Sequence, residues 1–453
     1  MRVHFIAIGG SIMHNLAIAL SKKGYIVSGS DDFIYEPARS HLDENGLLPD
    51  RLGWFPDRIV EEIDAVILGM HAKKDNPELE KAKSLGLRIY SYPEFIYEQS
   101  AEKIRVVIGG SHGKTTITSM IMHVLNELNH DFDFVVGAKL DGFENMVRIS
   151  KDAPLIVIEG DEYLASPEDE RPKFLIYKAN IGLISGISWD HINVFPTFEN
   201  YLEQFKLFIQ SIEPKGTLVY NKEDKKVQEI VSADNSNINK HGYRMPAYTI
   251  NKGQTSLNTA DGDVPLQIFG RHNLSNIAGA YSVCEWLGVS KPDFYKAIQS
   301  FKGAARRLEY VTNNDESVVY KDFAHSPSKV RATINAVKEQ YPEKALVAII
   351  ELHTFSSLNE TFLKEYEGTM DKADYPLVFI NQETIKQKNS KPLSEEVLKA
   401  AFKNDKLIYF DNTDRLKQYL SQLESAGKNL LFMSSGNFGG VNIINFSELF
   451  ISS

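Results

Sequence analysis

Eight consecutive residues carry the densest chemistry in this sequence: Gly109-Gly110-Ser111-His112-Gly113-Lys114-Thr115-Thr116. Glycines let a backbone turn tightly enough to aim its N–H groups at one point, and a lysine beside them adds a full positive charge. A hydroxyl next to that lysine suits a hard cation such as Mg²⁺. These are the parts of a phosphate cradle. The full Walker spacing wants a glycine six residues before the lysine, where Ile108 stands, so the loop is a shortened relative. The plain alternative is a glycine-rich turn capping an ordinary helix. The flanks favour the cradle. Val106-Val107-Ile108 reads as a buried parallel strand, and Ile117, Met120, Ile121, Val124, Leu125 and Leu128 return at helical spacing. Backbone N–H groups at that helix start would face an anion. The expected phosphate contacts are Gly110, Ser111, His112, Gly113, Lys114, Thr115 and Thr116.

Two more apolar runs end in polar clusters. Leu155-Ile156-Val157-Ile158 leads into Glu159-Gly160-Asp161-Glu162, and Ile181-Gly182-Leu183-Ile184 leads to Ser188-Trp189-Asp190-His191. The carboxyl edge of a parallel sheet beside a phosphate loop is where Mg²⁺ needs oxygen ligands. One Asp-His pair by itself usually marks a turn. Three polar clusters at three strand ends predict a shared active site holding Lys114, Glu159 and His191.

Apolar strands alternating with helical segments are the rhythm of an α/β chain with parallel sheets, and that plan recurs three times. The first stretch has Val3–Ile8 running into Gly9-Gly10-Ser11-Ile12, then Tyr25–Asp31 ending in Ser30-Asp31, then Ala65–Gly69 followed by His71. A dinucleotide fingerprint would place glycines where Ala7 and Ile12 stand, so a redox NAD site is not expected, which leaves open a nucleotide of another kind at these strand ends. Ser100–Lys103 reads as a linker. Ala233–Gly262, rich in Asn, Ser, Asp and Gly, reads as loops with short hairpins. Gly270-Arg271-His272-Asn273-Leu274-Ser275-Asn276 then opens a helix, its donors either reading a base edge or capping. A third α/β stretch starts near Gly303, with Arg306-Arg307, a strand ending at Lys321-Asp322 and Phe323-Ala324-His325, and later strands ending at Glu351-Leu352-His353 and Ser434–Gly440.

The 453 residues suffice for two to four domains, and a net charge of −10 argues against a general nucleic-acid binder. The single cysteine, Cys284, excludes an internal disulfide and fits a reducing compartment. Lying in an apolar helical run, it is expected in the core. With no signal peptide or membrane-length apolar run to read, the expected location is cytoplasmic, away from any membrane.

Taken together, G-S-H-G-K-T-T, E-G-D-E, Asp190-His191, G-R-H-N-L-S-N, R-R-L-E and D-F-A-H-S-P resemble the Mur ligases, the ATP-dependent ligases of peptidoglycan assembly, over nearly the whole length. The resemblance implies three domains: a Rossmann-like UDP-sugar domain over 1–102, a phosphate-loop ATPase domain over 103–302 and a Rossmann-like domain for the incoming amine over 303–453. It implies ATP and Mg²⁺ as cofactors, with Lys114 on the phosphates and Thr115, Glu159 and His191 as metal ligands. His272, Asn273 and Asn276 would lie at the adenine, and Arg307 and Asp322 would serve phosphate and ribose. Gly10, Ser11, Ile12, Ser30, Asp31 and His71 would hold the UDP-sugar. His325 would accept the amine's proton. The substrates implied are UDP-N-acetylmuramate and an amino acid or short peptide. Gly29-Ser30-Asp31, Tyr35, Pro37, Asp161-Glu162-Tyr163, Arg171–Phe174 and Ser435–Gly440 resemble the branch that adds the tripeptide L-Ala-γ-D-Glu-meso-diaminopimelate, while the L-alanine-adding branch shares most of the rest. Two departures fall in the amine region: His325-Ser326-Pro327 stands where His-His-Pro is usual, and Glu351-Leu352-His353-Thr354 where the tripeptide branch has Glu-Pro-Arg-Ser. Lys206 is the nearest candidate for the carbamylated lysine some of these ligases use. A folate-polyglutamate ligase and a phosphate-loop ATPase switch are the competing classes. The first has no use for the leading domain, and the second no need of a carboxylate substrate.

Overall fold

The computed structural model describes residues 1–140, 142–189, 194–305, 307–388 and 391–452. Parallel sheets dominate, as the buried apolar runs require. The chain divides into two compact units. One comprises Met1–Trp189, Thr197–Arg244 and Ala278–Ala297, and the other is built on Met245–Ile277 and the stretch from Ile298 onward.

The first unit holds two sheets. In the smaller, parallel strands run in the order Ile26–Ser30, Arg2–Ile6, Ala65–Leu68, Ile89–Ser91. Helix Ser11–Lys22 follows the glycine turn and buries Met13, Leu16, Ala17, Ile18 and Leu20. Helix Tyr92–Ser100 starts with a capping box, Ser91 and Glu94 satisfying each other's backbone N–H groups.

The larger sheet has seven strands, ordered Asn239–Tyr243, Thr217–Asn221, Ile181–Ile184, Ile104–Gly109, Leu155–Glu159, Asp133–Val135, Val147–Arg148. Val106, Val107 and Ile108 are fully buried in its middle strand. Register then does the positioning: Ile108 lies opposite Glu159 on one side and Leu183 on the other. The phosphate loop and the acid cluster therefore leave the sheet at the same edge. Asn239–Tyr243 departs from the loop expected across 233–262. It is a solvent-facing edge strand with only Tyr243 buried, so it shows no apolar run to read.

In the second unit, Tyr248–Asn251, Gln254–Thr259 and Gly262–Pro265 form an antiparallel sheet, the hairpins expected there. A six-stranded sheet follows, ordered Glu309–Asn313, Val318–Asp322, Lys428–Met433, Ala345–Glu351, Tyr375–Phe379, Ile408–Phe410, with only the first strand antiparallel. Asp322, Glu351 and Met433 all end parallel strands, so their loops open on one edge. Pro327 occupies the first turn of helix Pro327–Gln340, where its missing N–H costs nothing.

Helix Arg271–Trp286 carries Cys284, fully buried as expected, its thiol pushed well above the ordinary cysteine range by burial. No described helix is long and apolar enough to cross a membrane.

Candidate active site

The phosphate loop is shaped by two glycines with positive φ, Gly110 at +129° and Gly113 at +78°. Ser111 N–H donates to Gly186 O at 2.9 Å, lashing the loop to the neighbouring strand end. Ser185 Oγ donates to His112 O. A Cβ on Gly110 would collide with Ser185 Oγ. Gly110→Ala is therefore expected to displace the loop and lower turnover by about tenfold or more, with the melting temperature reporting the strain. Unchanged kinetics would show that the loop geometry does not matter.

Helix Lys114–Glu127 begins directly after Gly113, so its unpaired N–H groups and dipole face the loop. Lys114 Nζ donates to Gly110 O at 2.7 Å and pairs with Glu162 Oε2 at 2.6 Å. Burial opposes its charge, but Glu162, Asp161 and Glu159 outweigh that and hold the ammonium above its ordinary pKa. Thr115 Oγ1 donates to Glu159 Oε1 at 2.7 Å, and Gly137 N–H to Glu159 Oε2 at 2.7 Å. Asp161 is half-buried and kept below the usual carboxylate range, because Lys173 sits 2.6 Å from it. Of the residues expected at the centre, Lys114, Thr115, Glu159 and Glu162 converge. His191 lies outside the described residues.

The donor set can be tested against Mg²⁺. Among the described residues no group of three His, Cys, Asp or Glu side chains is placed to enclose a metal. Mg²⁺ does not need such a cage: it keeps several waters and binds through one or two carboxylates plus substrate phosphates. A carboxylate and a hydroxyl 2.7 Å apart at the mouth of a phosphate loop are the right hard ligands, so Glu159 and Thr115 fit.

At the carboxyl edge of the four-stranded sheet, Gly10 precedes helix Ser11–Lys22, with Ser11 exposed and Ile12 half-buried. Asp31, expected at the UDP-sugar, accepts from Gly9 N–H through Oδ2 at 2.7 Å and so shapes the glycine turn. Burial raises its carboxyl above the ordinary value, and the Gly9 bond opposes that. Ser30 Oγ accepts from Arg58 Nη1 at 3.2 Å, and His71 is exposed after strand Ala65–Leu68. Arg171 Nη2 reaches Glu94 at 3.1 Å, and Asn15 Oδ1 accepts from Met146 N–H at 3.0 Å, tying this sheet's helices to loops of the larger one.

In the second unit, the His272 ring lies against Gly270, and its buried Nδ1 has no hydrogen-bond partner among the described residues. Burial lowers its pKa, with Asp322 pulling the other way, which leaves a neutral imidazole. Asn273 Nδ2 donates to Phe269 O at 2.9 Å and so serves the helix start, while Asn276 is buried one turn on. Asp322 accepts from Leu308 N–H at 2.5 Å and Ala324 N–H at 2.7 Å, and the Arg307 guanidinium lies 4.4 Å over the Phe323 ring. His325 Nδ1 is 2.8 Å from Phe323 O. Two strands away, buried Glu351 accepts from Phe438 N–H at 2.9 Å and from Ser434 Oγ. His353 Nε2 lies 3.1 Å from Ser435 Oγ, its pKa lowered by burial. A cavity of about 290 Å³ opens here, lined by Lys321, Asp322, Ser434, Asn437 and Phe438 among others.

Sequence reasoning missed Tyr201, whose hydroxyl meets both Ser111 Oγ at 2.8 Å and Glu162 Oε1 at 2.9 Å. The signal available was a tyrosine on the apolar face of helix Phe198–Ser211, since a buried phenol needs a partner for its hydroxyl. Lys173 and Arg171 stand out in the sequence only as part of a resemblance. Lys206, on the same helix, is half exposed and paired with Glu203 at 2.9 Å.

A phosphate loop on a parallel sheet, a lysine held by acids and a hydroxyl–carboxylate pair beside it define an α/β enzyme of the phosphate-loop class. Comparison with known proteins narrows this. The Mur ligase family catalytic domain matches residues 2–103, the Mur ligase middle domain 108–284 and the Mur ligase glutamate ligase domain 306–436. The UDP-N-acetylmuramate–L-alanine ligase of Clostridium kluyveri is 31% identical over 468 residues, which span 100% of this chain and 98% of that one. Among solved structures, the murein peptide ligase of Psychrobacter arcticus shares the fold with a TM-score of 0.67, 22% identity and 99% of both chains covered. The UDP-N-acetylmuramate–alanine ligase of Thermotoga maritima does so with a TM-score of 0.70, 21% identity and coverage of 100% and 98%. The chain belongs to the Mur ligase family and has that family's three-domain α/β architecture. It is an ATP-dependent ligase that forms C–N bonds in peptidoglycan synthesis.

Proposed function

We propose that this enzyme joins the lactyl carboxylate of UDP-N-acetylmuramate to the amine of the tripeptide L-Ala-γ-D-Glu-meso-diaminopimelate through an acyl phosphate. The observation that carries the activation step is the convergence of Lys114, Thr115, Glu159 and Glu162 at one sheet edge. A carboxylate attacking the γ-phosphorus of ATP brings two anions together. The Lys114 ammonium and the loop N–H dipoles offset that repulsion and stabilise charge on the transferring group. Mg²⁺, when bound, neutralises further phosphate charge, and Thr115, Glu159 and His191 are the residues that would hold it. Gly10, Ser11, Ile12, Ser30, Asp31 and His71, at the edge of the first sheet, are assigned to the UDP-sugar. His272, Asn273, Asn276, Arg307 and Asp322 are assigned to the nucleotide's base, ribose and phosphate.

The amine then attacks the acyl carbon, phosphate leaves, and His325 takes the amine's proton. The acceptor pocket is placed at the Ser434–Gly440 loop, which Glu351 pins by two hydrogen bonds. A second reading takes L-alanine as the acceptor, and it is favoured by the full-length likeness to the Clostridium kluyveri L-alanine ligase.

Phosphate release measured with UDP-N-acetylmuramate and either acceptor separates the two. The tripeptide should support release at least about tenfold faster than L-alanine at equal concentration. The reverse order establishes the L-alanine reading, and release that ignores the UDP-sugar overturns both.

A further inference from the structure

Groups from four parts of the first unit form a hydrogen-bond chain that runs donor to acceptor into Glu162, where Lys114 donates from the other side. Ser188 N–H donates to Ser111 Oγ at 2.9 Å. Ser111 Oγ and the Tyr201 hydroxyl are 2.8 Å apart, and that hydroxyl donates to Glu162 Oε1 at 2.9 Å. Glu162 Oε2 holds Lys114 Nζ at 2.6 Å. The donor direction follows from the end group. A carboxylate paired with an ammonium accepts only, so Tyr201 must donate to it, and the phenol oxygen is left to receive the Ser111 proton. Its middle lies in the interior, with Tyr201 and Glu162 fully buried and Ser111 nearly so, while Ser188 and Lys114 at its ends are partly exposed.

We propose that Tyr201 is a positioning residue for the ATP-dependent step, acting through Glu162 to set how firmly Lys114 is held away from the nucleotide phosphates. With one oxygen of Glu162 occupied by the phenol, its hold on Lys114 is moderated, and the lysine exchanges Glu162 for an incoming phosphate. Without the hydroxyl, the buried carboxylate loses one donor and draws harder on Lys114, because the negative charge on Glu162 is then less shared. Lys114 then stays with Glu162 and the phosphates lose their charged partner. The inference rests on the nucleotide reading of the loop.

The test is Tyr201→Phe, alone and combined with Glu162→Gln. KM for ATP should rise by about tenfold in Tyr201→Phe, while KM for UDP-N-acetylmuramate stays within about twofold. In the Glu162→Gln background, adding Tyr201→Phe should change KM for ATP by less than about twofold, since residues acting through one partner are non-additive. A structural role alone would lower the melting temperature and leave the ratio of the two KM values where it was. An unchanged KM for ATP in Tyr201→Phe, or effects that multiply in the double variant, would overturn the proposal. Binding of fluorescently labelled ADP to the unsubstituted enzyme is read alongside. If the enzyme fails to bind it, the nucleotide reading itself falls, which is distinct from binding that Tyr201→Phe leaves untouched.

Discussion

Lys114→Ala is expected to lower kcat/KM for ATP by a factor on the order of 10²–10³, the size typical of removing one preorganised charge contact from a phosphoryl or acyl transfer site. The lysine stands at the first position of helix Lys114–Glu127, where alanine is well tolerated, so the helix itself is not at risk. What alanine leaves behind is Glu162, buried and deprived of the Lys114 ammonium. Breaking a buried pair from one side is destabilising, and a fall in melting temperature is expected in this variant. Lys114→Met combined with Glu162→Gln separates the two effects. Removing both charges should return most of the stability while leaving turnover as low as in Lys114→Ala. Steady-state phosphate release beside a thermal melt reads both. Activity within about threefold of the starting enzyme would take Lys114 out of the transition state altogether.

The parts that sequence could show are those whose physics is local. Val106–Ile108, Leu155–Ile158 and Ile181–Ile184 are strands buried on both faces, so each writes an uninterrupted apolar run, and the polar residues following such runs emerge at one edge. Lys114, Thr115, Glu159 and the acid cluster were legible for that reason. Asn239–Tyr243 was not, because an edge strand with one buried residue has no such run. Tyr201 was illegible for another reason: its partners Ser111 and Glu162 lie 90 and 39 residues away, and no periodicity reports where a phenol's oxygen finds a donor. Asp31 is a similar case. An acid at the end of a strand does not show in sequence that one of its oxygens accepts from the N–H of Gly9.

Glu159→Gln should cost about 10²-fold in kcat and raise the Mg²⁺ concentration for half-maximal rate by a comparable factor. The local structure lets the amide replace the acid without disturbing the fold. Glu159 takes one hydrogen bond from Thr115 Oγ1 and one from Gly137 N–H. A glutamine carbonyl can keep the backbone donor, and the Thr115 hydroxyl can turn to accept from the new NH₂ group. Geometry is thus conserved while one unit of negative charge is removed from a place that would hold a dication beside phosphates. Thr115→Ala makes the complementary change, taking away a neutral oxygen and leaving the charge. If both residues hold Mg²⁺, each variant should move the half-saturating concentration upward, and Glu159→Gln should move it further because a carboxylate is the stronger ligand. The paramagnetic signal of bound Mn²⁺, titrated in the presence of ADP, gives the same ordering without any turnover. If Glu159→Gln were slow but bound metal as tightly as the starting enzyme, the carboxylate would instead be acting through Gly137 and Thr115 on the shape of the loop.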